Sequence, residues 1–511
     1  MAKLTKKEIV PSEPSFDEVK RWYLENLHPD VNQYDDPEVY RYIYHDGRFP
    51  GIFQVTTDGC QKFFVKAKPD SITDIAALTS IYRPGPLSAH VDAIYLKAKR
   101  GEKFEWGHPI FEKVLGDTYN CLIFQESVMD LAEHVGGFPK DQCDNIRRAI
   151  MKRDHSKGGA AQAEVKRMEE DFVRGAILKG VPEPIAKKAY ETIGWMSGYG
   201  FNRSHATAYA IDSYMCAWLC THFESEWLTA YLESMSNNDA ARAKAFSEVR
   251  AMGYEIVPID IKHATKSWTV LPGKKLMPAL TSAKGIGGTA ADELESLRPF
   301  DTLEELLYED DGSWRLSKFN KKALEALIDV EAFGSLNCVG EGKLFKHYRQ
   351  MHAVIVERGG EIKKQSKKDP FLGQKKFHQL IAETNDMEPY TKLERIQRGV
   401  LHFGTVDVNM IIDNVSKEKL ARKGIKSIDE FDGENIYWFC LVNFIVKTTR
   451  NKKQYLVMDV IGPSGVSTRM NAWAYNGKRT FEPYSVIAAV VTKDEDFGYA
   501  TMTFKMETLD V

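Results

Sequence analysis

The sequence predicts a multidomain, mainly α-helical protein that ends in a small β-barrel. Apolar residues recur at intervals of three and four over 90–235, which is typical of amphipathic helices. Over 435–508 the apolar and polar residues alternate, with Gly and Lys between the segments, which is typical of short strands. Between these regions a Gly-Ile-Gly tripeptide joins two apolar segments and predicts a tight turn between helices. At 511 residues the chain is long enough for about three to five domains.

The overall charge and the cysteines narrow the class of protein. The formal net charge is −3, so any nucleic-acid site must be a local basic patch. The seven cysteines include no Cys-x-x-Cys pair, which favours reduced thiols over a disulfide or zinc framework. No apolar run is long enough to span a membrane, and the first residues lack the apolar segment of a signal peptide. We therefore expect a soluble, cytoplasmic protein without a membrane partner.

The breaks between the helical segments are marked by glycine and proline. Residues 1–34 combine a polar arm with a short amphipathic helix over 16–27, and another helix is predicted over 69–78. Next, Tyr82-Arg83-Pro84-Gly85-Pro86 predicts a rigid turn that presents Arg83, because prolines do not continue a helix. Further helices are predicted over 128–135, 160–179, 184–196 and 207–235.

The segment 197–209 places small residues and two aromatics directly before a predicted helix. Its glycines permit a tight backbone turn, and Asn202 and Ser204 are candidate caps of a helix that begins near Ala206. A helix start offers unpaired N–H groups and partial positive charge, which suit a phosphate. The alternative is an ordinary capped helix with a surface arginine. The candidate phosphate contacts are Tyr199, Asn202, Arg203, Ser204 and His205.

Four cations lie close together on a predicted helix about fifty residues upstream of that segment: Arg147, Arg148, Lys152 and Arg153. Arg148 and Lys152 are four residues apart and therefore share a helix face. Such a cluster is usually a solvated face. Beside a glycine-rich cap it is also a candidate triphosphate clamp, because arginine offers bidentate donors to phosphate.

Five motifs in this order resemble the family C replicases, the alpha subunits of bacterial DNA polymerase III. The resemblance is strong from roughly residue 35 to 340 and matches the later part of that subunit. The motifs are Gly51-Ile52-Phe53-Gln54, Tyr82-Arg83-Pro84-Gly85-Pro86-Leu87, Phe124-Gln125-Glu126-Ser127-Val128-Met129, Ile146-Arg147-Arg148-Ala149 and the segment from Tyr199 to His205.

This resemblance implies a role for each part of the first half. It implies the end of a palm over 35–88, with Arg83 near DNA, and helical fingers over 89–236 that bind the triphosphate of an incoming dNTP. The chain departs from the family where Met151-Lys152-Arg153 stands for the usual Gly-Lys-Lys, and where Arg203 stands for lysine. Both changes keep the positive charge.

The region 237–345 resembles a tandem helix-hairpin-helix, a module that binds duplex DNA. Its first copy surrounds the Gly-Ile-Gly tripeptide, and a degenerate second copy follows over 319–334. The amides of such a turn face a DNA phosphate as helix starts do. The alternative is a chance Gly-Ile-Gly corner. The candidate DNA contacts are Arg83, Lys284, Gly285, Gly287 and Gly288.

The region 346–390 is rich in lysine pairs and predicts a solvated basic linker. A DNA-tracking arm is the second interpretation. Two segments, 374–377 and 379–381, are poor versions of the glutamine-plus-apolar peptide that docks on a sliding clamp in the family, so clamp binding is left open. The last domain, 391–511, predicts an OB-like barrel, which commonly binds single strands by stacking and charge. Its candidate aromatics are Trp438, Phe444, Tyr455, Trp473 and Tyr475.

Templated nucleotide addition needs two metal ions held by carboxylates. The resemblance implies that the palm of the family supplies these carboxylates before the matching region begins. In this chain the one Asp-x-Asp is Asp494-Glu495-Asp496, which a polar hairpin tip explains better. We therefore expect Mg²⁺ to be held mainly by a separate palm-bearing chain, and the isolated chain to be inactive.

These observations predict the fingers and DNA-binding half of a split family C DNA polymerase, which binds dNTPs and a primer–template. A catalytically silent DNA-binding accessory protein is the alternative. A third reading, an unrelated phosphate-binding helical protein, does not explain five ordered motifs. The source, bacterial or phage, is left open.

Overall fold

The computed structural model describes residues 15–102, 104–152, 159–197, 200–235, 239–404, 408–449, 451–463, 465, 467–494 and 498–509. The chain divides into two units, 1–224 and 225–511. Helices predominate, and the last strands close a barrel, so the predicted fold class is confirmed. None of the described helices combines the length and the apolar character that crossing a lipid bilayer requires.

The first unit is helical, and several of its described helices begin after a residue whose side chain caps them. Ser15 and Glu18 form a reciprocal capping box at the first helix, and Ser71 accepts from the Asp74 amide at the fourth. The helices are α1 (Phe16–Asn26), α2 (Pro37–Val39, continued by a π-helical turn over Tyr40–His45), α3 (Asp58–Ala67), α4 (Ile72–Ile81), α5 (Pro84–Ser88), α6 (Val91–Lys99), α7 (Pro109–Leu115), α8 (Gln125–His134), α9 (Cys143–Lys152), α10 (Gly159–Leu178), α11 (Glu183–Ser197) and α12 (Arg203–His222).

Two of the predicted boundaries in this unit are wrong. Pro84 and Pro86 do not make a helix-free turn, because proline is tolerated in the first turn of a helix and Pro84 is the first residue of α5. The helix predicted over 207–235 is broken, since α12 ends at His222 and a new helix begins at Glu224. At the break, Phe223 leaves the helical conformation and buries its ring.

The centre of the first unit is the packing of α4 against α12. Ile75 and Leu78 of α4 are fully buried, and the facing side of α12 presents small residues such as Ala210 and Ala217. Small side chains allow two helices to approach closely. This packing fixes the position of α12, whose first residues belong to the candidate phosphate site.

A second core in this unit joins α7 to α11. The turn after α8 contacts α10 so closely that a Cβ on Gly175 would lie 1.7 Å from the Gly136 carbonyl oxygen. Only glycine therefore fits at position 175. The contact ties the turn after α8 to α10, and α8 in turn packs on α9, which carries candidate nucleotide-binding residues.

The second unit contains helices, a small three-stranded sheet and the barrel. Its elements are α13 (Glu224–Ser234), α14 (Asp239–Ala251), β1 (Glu255–Ile256), β2 (Thr269–Leu271), β3 (Lys275–Met277), α15 (Gly288–Ser296), α16 (Leu303–Leu307), α17 (Lys321–Asp329), α18 (Tyr348–His352), α19 (Gly359–Ser366), α20 (Pro370–Glu383), α21 (Lys392–Phe403), α22 (Val408–Ile411), α23 (Asn414–Arg422), β4 (Lys426–Ser427), β5 (Asn435–Thr448), β6 (Gln454–Ile461), β7 (Ser467–Trp473), β8 (Val486–Asp494), β9 (Gly498–Met502) and β10 (Met506–Leu509).

The expected solvated linker over 346–390 is instead helical and packed. Ile362 of α19 and Phe377 and Leu380 of α20 are buried in the same core as the helices of 259–345. Four of the six paired lysines, Lys364, Lys367, Lys368 and Lys375, are exposed, whereas Lys363 and Lys376 are half-buried. The density of lysines therefore predicted a solvated segment, although apolar residues between them pack in the core. Because Phe377 is 1% exposed, the segment 374–377 is not an accessible peptide.

The barrel closes through five strands in the order β5-β6-β7-β9-β8, with β8 pairing back to β5. All neighbours are antiparallel except β7 and β9, which run parallel. This closed five-stranded arrangement is that of an OB-like barrel, as predicted. Its interior holds Tyr437, Phe439 and Leu441 of β5, which alternate along the strand.

The other face of β5 is also buried. Trp438 and Cys440 pack with Ile396, Ile411 and Leu420 in a core between the barrel and the helices α21 to α23. Trp438 is thus a core residue and not an exposed aromatic. All seven cysteines are unpaired, and burial raises the pKa of the Cys440 thiol to about 12.

Candidate functional site

Two of the sequence motifs meet at the start of α12. The Gln125 amide donates to the Phe201 carbonyl at 2.9 Å, and the Phe201 amide donates to the Ile123 carbonyl at 3.0 Å. The side-chain amide of Gln125 donates to the Gly200 carbonyl at 3.1 Å. The segment before α12 is therefore held as a short parallel bridge against the segment before α8.

Asn202 caps α12, as predicted, by accepting from the His205 amide at 2.8 Å. Ser204 is not a cap, because the helix begins at Arg203 and Ser204 lies in its first turn. The side chains of Asn202, Ser204 and His205 are exposed. Tyr199 lies outside the described residues.

Glu126 occupies the anion position at this helix start. Its carboxylate accepts from the Arg203 amide at 2.8 Å and from the side-chain amide of Asn202 at 2.9 Å. A carboxylate at a helix N-terminus is stabilised by the unpaired N–H groups and the helix dipole. The Phe124–Met129 motif contains Glu126 but does not by itself predict this role. A phosphate at this helix start would have to share these donors with the carboxylate.

Two arginines surround the same bridge. The guanidinium of Arg203 pairs with Asp117 and lies over the ring of Phe124, 5.2 Å from its centroid. Arg83 lies over the ring of Phe201 at 4.4 Å and donates to the Ser80 carbonyl at 2.7 Å. Arg83 was predicted as a DNA contact, and the structure places it beside the candidate nucleotide-binding segment.

The arginines of α9 share one carboxylate. Asp144 lies 2.8 Å from a terminal nitrogen of Arg147 and 2.7 Å from one of Arg148. The hydrogen bond from Arg147 holds the pKa of Asp144 below its usual range. Arg148 is exposed and Arg147 is half-buried, so the pair keeps an excess of positive charge toward solvent. Lys152 is the last residue of α9, and Arg153 lies outside the described residues.

The arginines of α9 and the residues at the start of α12 lie on helices that pack against different partners. Helix α9 packs on α8 and α11, whereas the first turn of α12 contacts the start of α8. The structure therefore brings Arg83 and Arg203 together and leaves the convergence of Arg147 and Arg148 on the same ligand as a prediction.

The predicted helix-hairpin-helix turn lies in the second unit. A single 3₁₀ turn over Leu280–Ser282 stands where the sequence predicted an apolar helix, and α15 begins at Gly288. Gly285 has φ +116°, and a Cβ there would lie 3.1 Å from the Lys322 carbonyl oxygen, so the turn requires glycine. Gly287 caps α15. Lys284 is exposed and precedes this turn.

The barrel carries a half-buried pair of stacked aromatic rings on its described surface. Tyr455 and Trp473 stack with ring centroids 4.6 Å apart and lie on adjacent strands. Phe444 and Tyr475 pack partly against the barrel core. The stacked pair is the better candidate for contact with a base.

The sequence predicts that the metal-binding carboxylates lie in a separate palm-bearing chain. In the part of the chain that the structure describes, no three His, Cys, Asp or Glu side chains are placed to hold a metal ion. These residues do not fit a two-metal centre. Asp494 ends β8, and the two residues after it lie outside the described ranges.

Comparison with known proteins gives the same assignment as the motifs. Residues 14–180 match the bacterial DNA polymerase III alpha subunit finger domain. The chain is similar to the bacterial DNA polymerase III alpha subunits. Residues 253–340 match the helix-hairpin-helix motif, in the region predicted from Gly-Ile-Gly. The resemblance inferred from the five motifs is thus confirmed. The finger match includes 35–88, so the palm–finger boundary at residue 88 stays a prediction.

The curated relatives carry the name DNA polymerase III subunit alpha. The DNA polymerase III subunit alpha of Aquifex aeolicus is 28% identical over 442 residues, which are 84% of this chain and 35% of that protein. The subunit of Borreliella burgdorferi is 32% identical over 317 residues, 61% of this chain and 26% of that protein. The chain therefore spans about a quarter to a third of the length of these DNA polymerase III alpha relatives.

Proposed function

We propose that this chain supplies the fingers and DNA-binding elements of a family C replicative DNA polymerase. It acts with a separate palm-bearing chain, which holds most of the Mg²⁺ coordination, in template-directed DNA synthesis. The observation that carries the proposal is the match of 14–180 to the alpha-subunit finger domain, joined in one chain to a helix-hairpin-helix region. A cytoplasmic location and docking on a sliding clamp stay predictions.

The incoming dNTP is assigned to the basic face of α9 and the start of α12. Arg147 and Arg148 share one carboxylate, so they retain a net positive charge that a triphosphate can use. Arg203, Asn202 and the polar residues near them add donors at the helix start.

Replacing Arg148 with Ala in the reconstituted enzyme is expected to lower nucleotide incorporation by about 10²- to 10³-fold, the scale of one preorganised charge contact. Primer–template affinity should change little. The matched control is Arg174→Ala, which also removes an exposed arginine paired with an aspartate one helical turn away. Single-turnover incorporation and duplex binding by both variants give the comparison. A loss of DNA affinity with normal incorporation per bound complex would assign Arg148 to the DNA backbone instead.

Duplex DNA is assigned to the turn formed by Lys284 and residues 285–288. Turn amides and a lysine meet phosphates and do not read bases, so binding should be independent of sequence. Lys284→Glu is expected to weaken binding of all duplexes alike and to reduce the salt slope by about one. Lys423→Glu, the same charge change at an exposed lysine after α23, is the control. Equal affinity and slope for the Lys284 variant and the wild type would make the turn a helix corner without a DNA contact.

A catalytically silent DNA-binding accessory protein is the second candidate function. It is favoured by the carboxylates that already pair with candidate phosphate contacts: Asp117 with Arg203, and Glu126 with the helix start. For such a protein, incorporation by the palm-bearing partner would not respond to Arg148→Ala, while Lys284→Glu would still weaken duplex binding.

A further inference from the structure

His402, near the end of α21, is buried against the turn that precedes α15. Its Nδ1 lies 2.7 Å from the carbonyl oxygen of Lys284, and its Nε2 lies 3.0 Å from a carboxylate oxygen of Asp329. The amide of Lys284 donates to the carbonyl of His402 at 2.9 Å. One residue of α21 thus holds both polar backbone groups of Lys284.

The partners of the ring fix its protonation. A carbonyl oxygen and an ionised carboxylate only accept hydrogen bonds, and a neutral imidazole has one N–H. Only the imidazolium can therefore donate to Lys284 and to Asp329 at once. Asp329 stays ionised, because Arg398 donates to its second oxygen at 2.9 Å. Burial by itself lowers the pKa of His402, but the hydrogen bonds to Asp329 and Lys284 raise it above the ordinary 6.5.

The charges around the ring have both signs. Asp329 and Glu325 of α17 favour the imidazolium. Arg398, on the same helix as His402, neutralises part of that effect through its pairing with Asp329.

Two further groups complete this environment. Arg242 of α14 donates to the Phe403 carbonyl at 2.7 Å and to the Ser282 carbonyl at 3.3 Å, so it holds the other side of the same turn. His352 of α18 lies 3.5 Å from Glu325. Loss of the His402 proton would place a ring nitrogen lone pair against an acceptor while the other contacts stay in place.

The turn has little freedom to adjust toward α17. Gly285 follows Lys284 directly, and the Lys322 carbonyl already lies 3.1 Å from the position of a Cβ on this glycine. The orientation of the Gly287 and Gly288 amides therefore depends on how Lys284 is held.

We propose that His402 is a positioning residue for DNA-backbone binding by the 284–288 turn: its imidazolium fastens Lys284 to Asp329, and duplex binding weakens when the ring loses its proton. This rests on the DNA contact proposed for the turn. The sign follows from linkage, because a raised histidine pKa gives a contribution that is complete below the unfolded value and lost as the pH rises through the folded one. By reciprocity, a bound duplex raises the pKa of His402.

The test measures duplex affinity of the full chain by fluorescence anisotropy at constant ionic strength from about pH 6 to about pH 9. The wild-type Kd is expected to rise about 3- to 10-fold more over this range than the Kd of His402→Gln, which cannot carry the charge. His378→Gln, at an exposed histidine of α20, is the matched control and should keep the wild-type profile. Asp329→Asn provides a second variant if His402→Gln does not fold.

A measurement on the unmodified protein accompanies the variants. In histidine-selective NMR, the titration midpoint of His402 is expected to lie above 6.5 in the free chain and to rise further with duplex bound. An unchanged midpoint with duplex, or an equal pH profile for wild type and His402→Gln, would overturn the proposal. If Lys284→Glu binds duplex like the wild type at every pH, the proposed DNA contact of the turn is wrong. A titration midpoint above 6.5 in the free chain would still show that the His402 imidazolium bonds to Lys284 and Asp329.

Discussion

At the scale of single residues, three of the cations expected to bind phosphate are already paired with carboxylates: Arg147, Arg148 and Arg203. Asp144 pairs with Arg147 and Arg148 at spacings of three and four, which the sequence displays. The partner of Arg203 is Asp117, 86 residues away, and no helical spacing reveals it. A motif therefore indicates which cations gather at a site, whereas the carboxylates that hold them before a ligand arrives depend on the fold.

Glu126 binds directly to the start of α12 through its carboxylate. Glu126→Gln removes the charge that accepts from the Arg203 amide and the Asn202 side chain. Hydrogen bonds to a charged acceptor contribute more than neutral ones, and partial exposure reduces the effect, so we expect a loss of about 1 kcal/mol in stability. Hydrogen exchange at the first turn of α12 measures this loss. Glu191→Gln, at an exposed position of α11, should leave exchange unchanged, and equal protection in both variants would remove Glu126 from the cap.

At the scale of elements, α20 is the clearest difference between expectation and structure. Phe377 is 1% exposed and packs in the core of the second unit, whereas Phe371 of the same helix is 68% exposed. Phe377→Ala is expected to destabilise this region by about 3–5 kcal/mol, and Phe371→Ala to change it by less than about 0.5 kcal/mol. Hydrogen exchange of 370–383 separates the two. Equal effects would mean that α20 is not packed on this core.

The sequence predicts helices and strands best where the spacing of apolar residues is the only feature that decides the structure. The strands of the barrel followed from alternation, and α10 and α11 followed from apolar spacing. The errors occur where another contact decides. Trp438 is buried on the outer face of β5 because helices cover that face. Phe223 breaks a predicted helix by burying its ring, and no glycine or proline marks the break.

In the candidate site, too, the sequence predicted the features set by neighbouring residues but not the contacts between distant ones. Asn202 as a cap and the glycine requirement at Gly285 followed from local chemistry. The pairing of Gln125 with Phe201 and the contact of His402 with Lys284 join residues far apart in sequence. Only the packing of the helices brings these partners together.

At the scale of the whole molecule, each unit carries one part of the proposed activity. The first unit contains the finger match with the candidate nucleotide contacts, and the second contains the helix-hairpin-helix turn and the OB-like barrel. The central claim is that these parts serve a polymerase whose metal-binding carboxylates lie in another chain.

Primer extension with Mg²⁺ and the four dNTPs tests that claim most directly. The purified chain 1–511 is assayed alone at high concentration and again with a palm-bearing chain. The account predicts no templated extension by the chain alone and extension when the palm-bearing chain is added. Robust templated extension by the purified chain alone would contradict it.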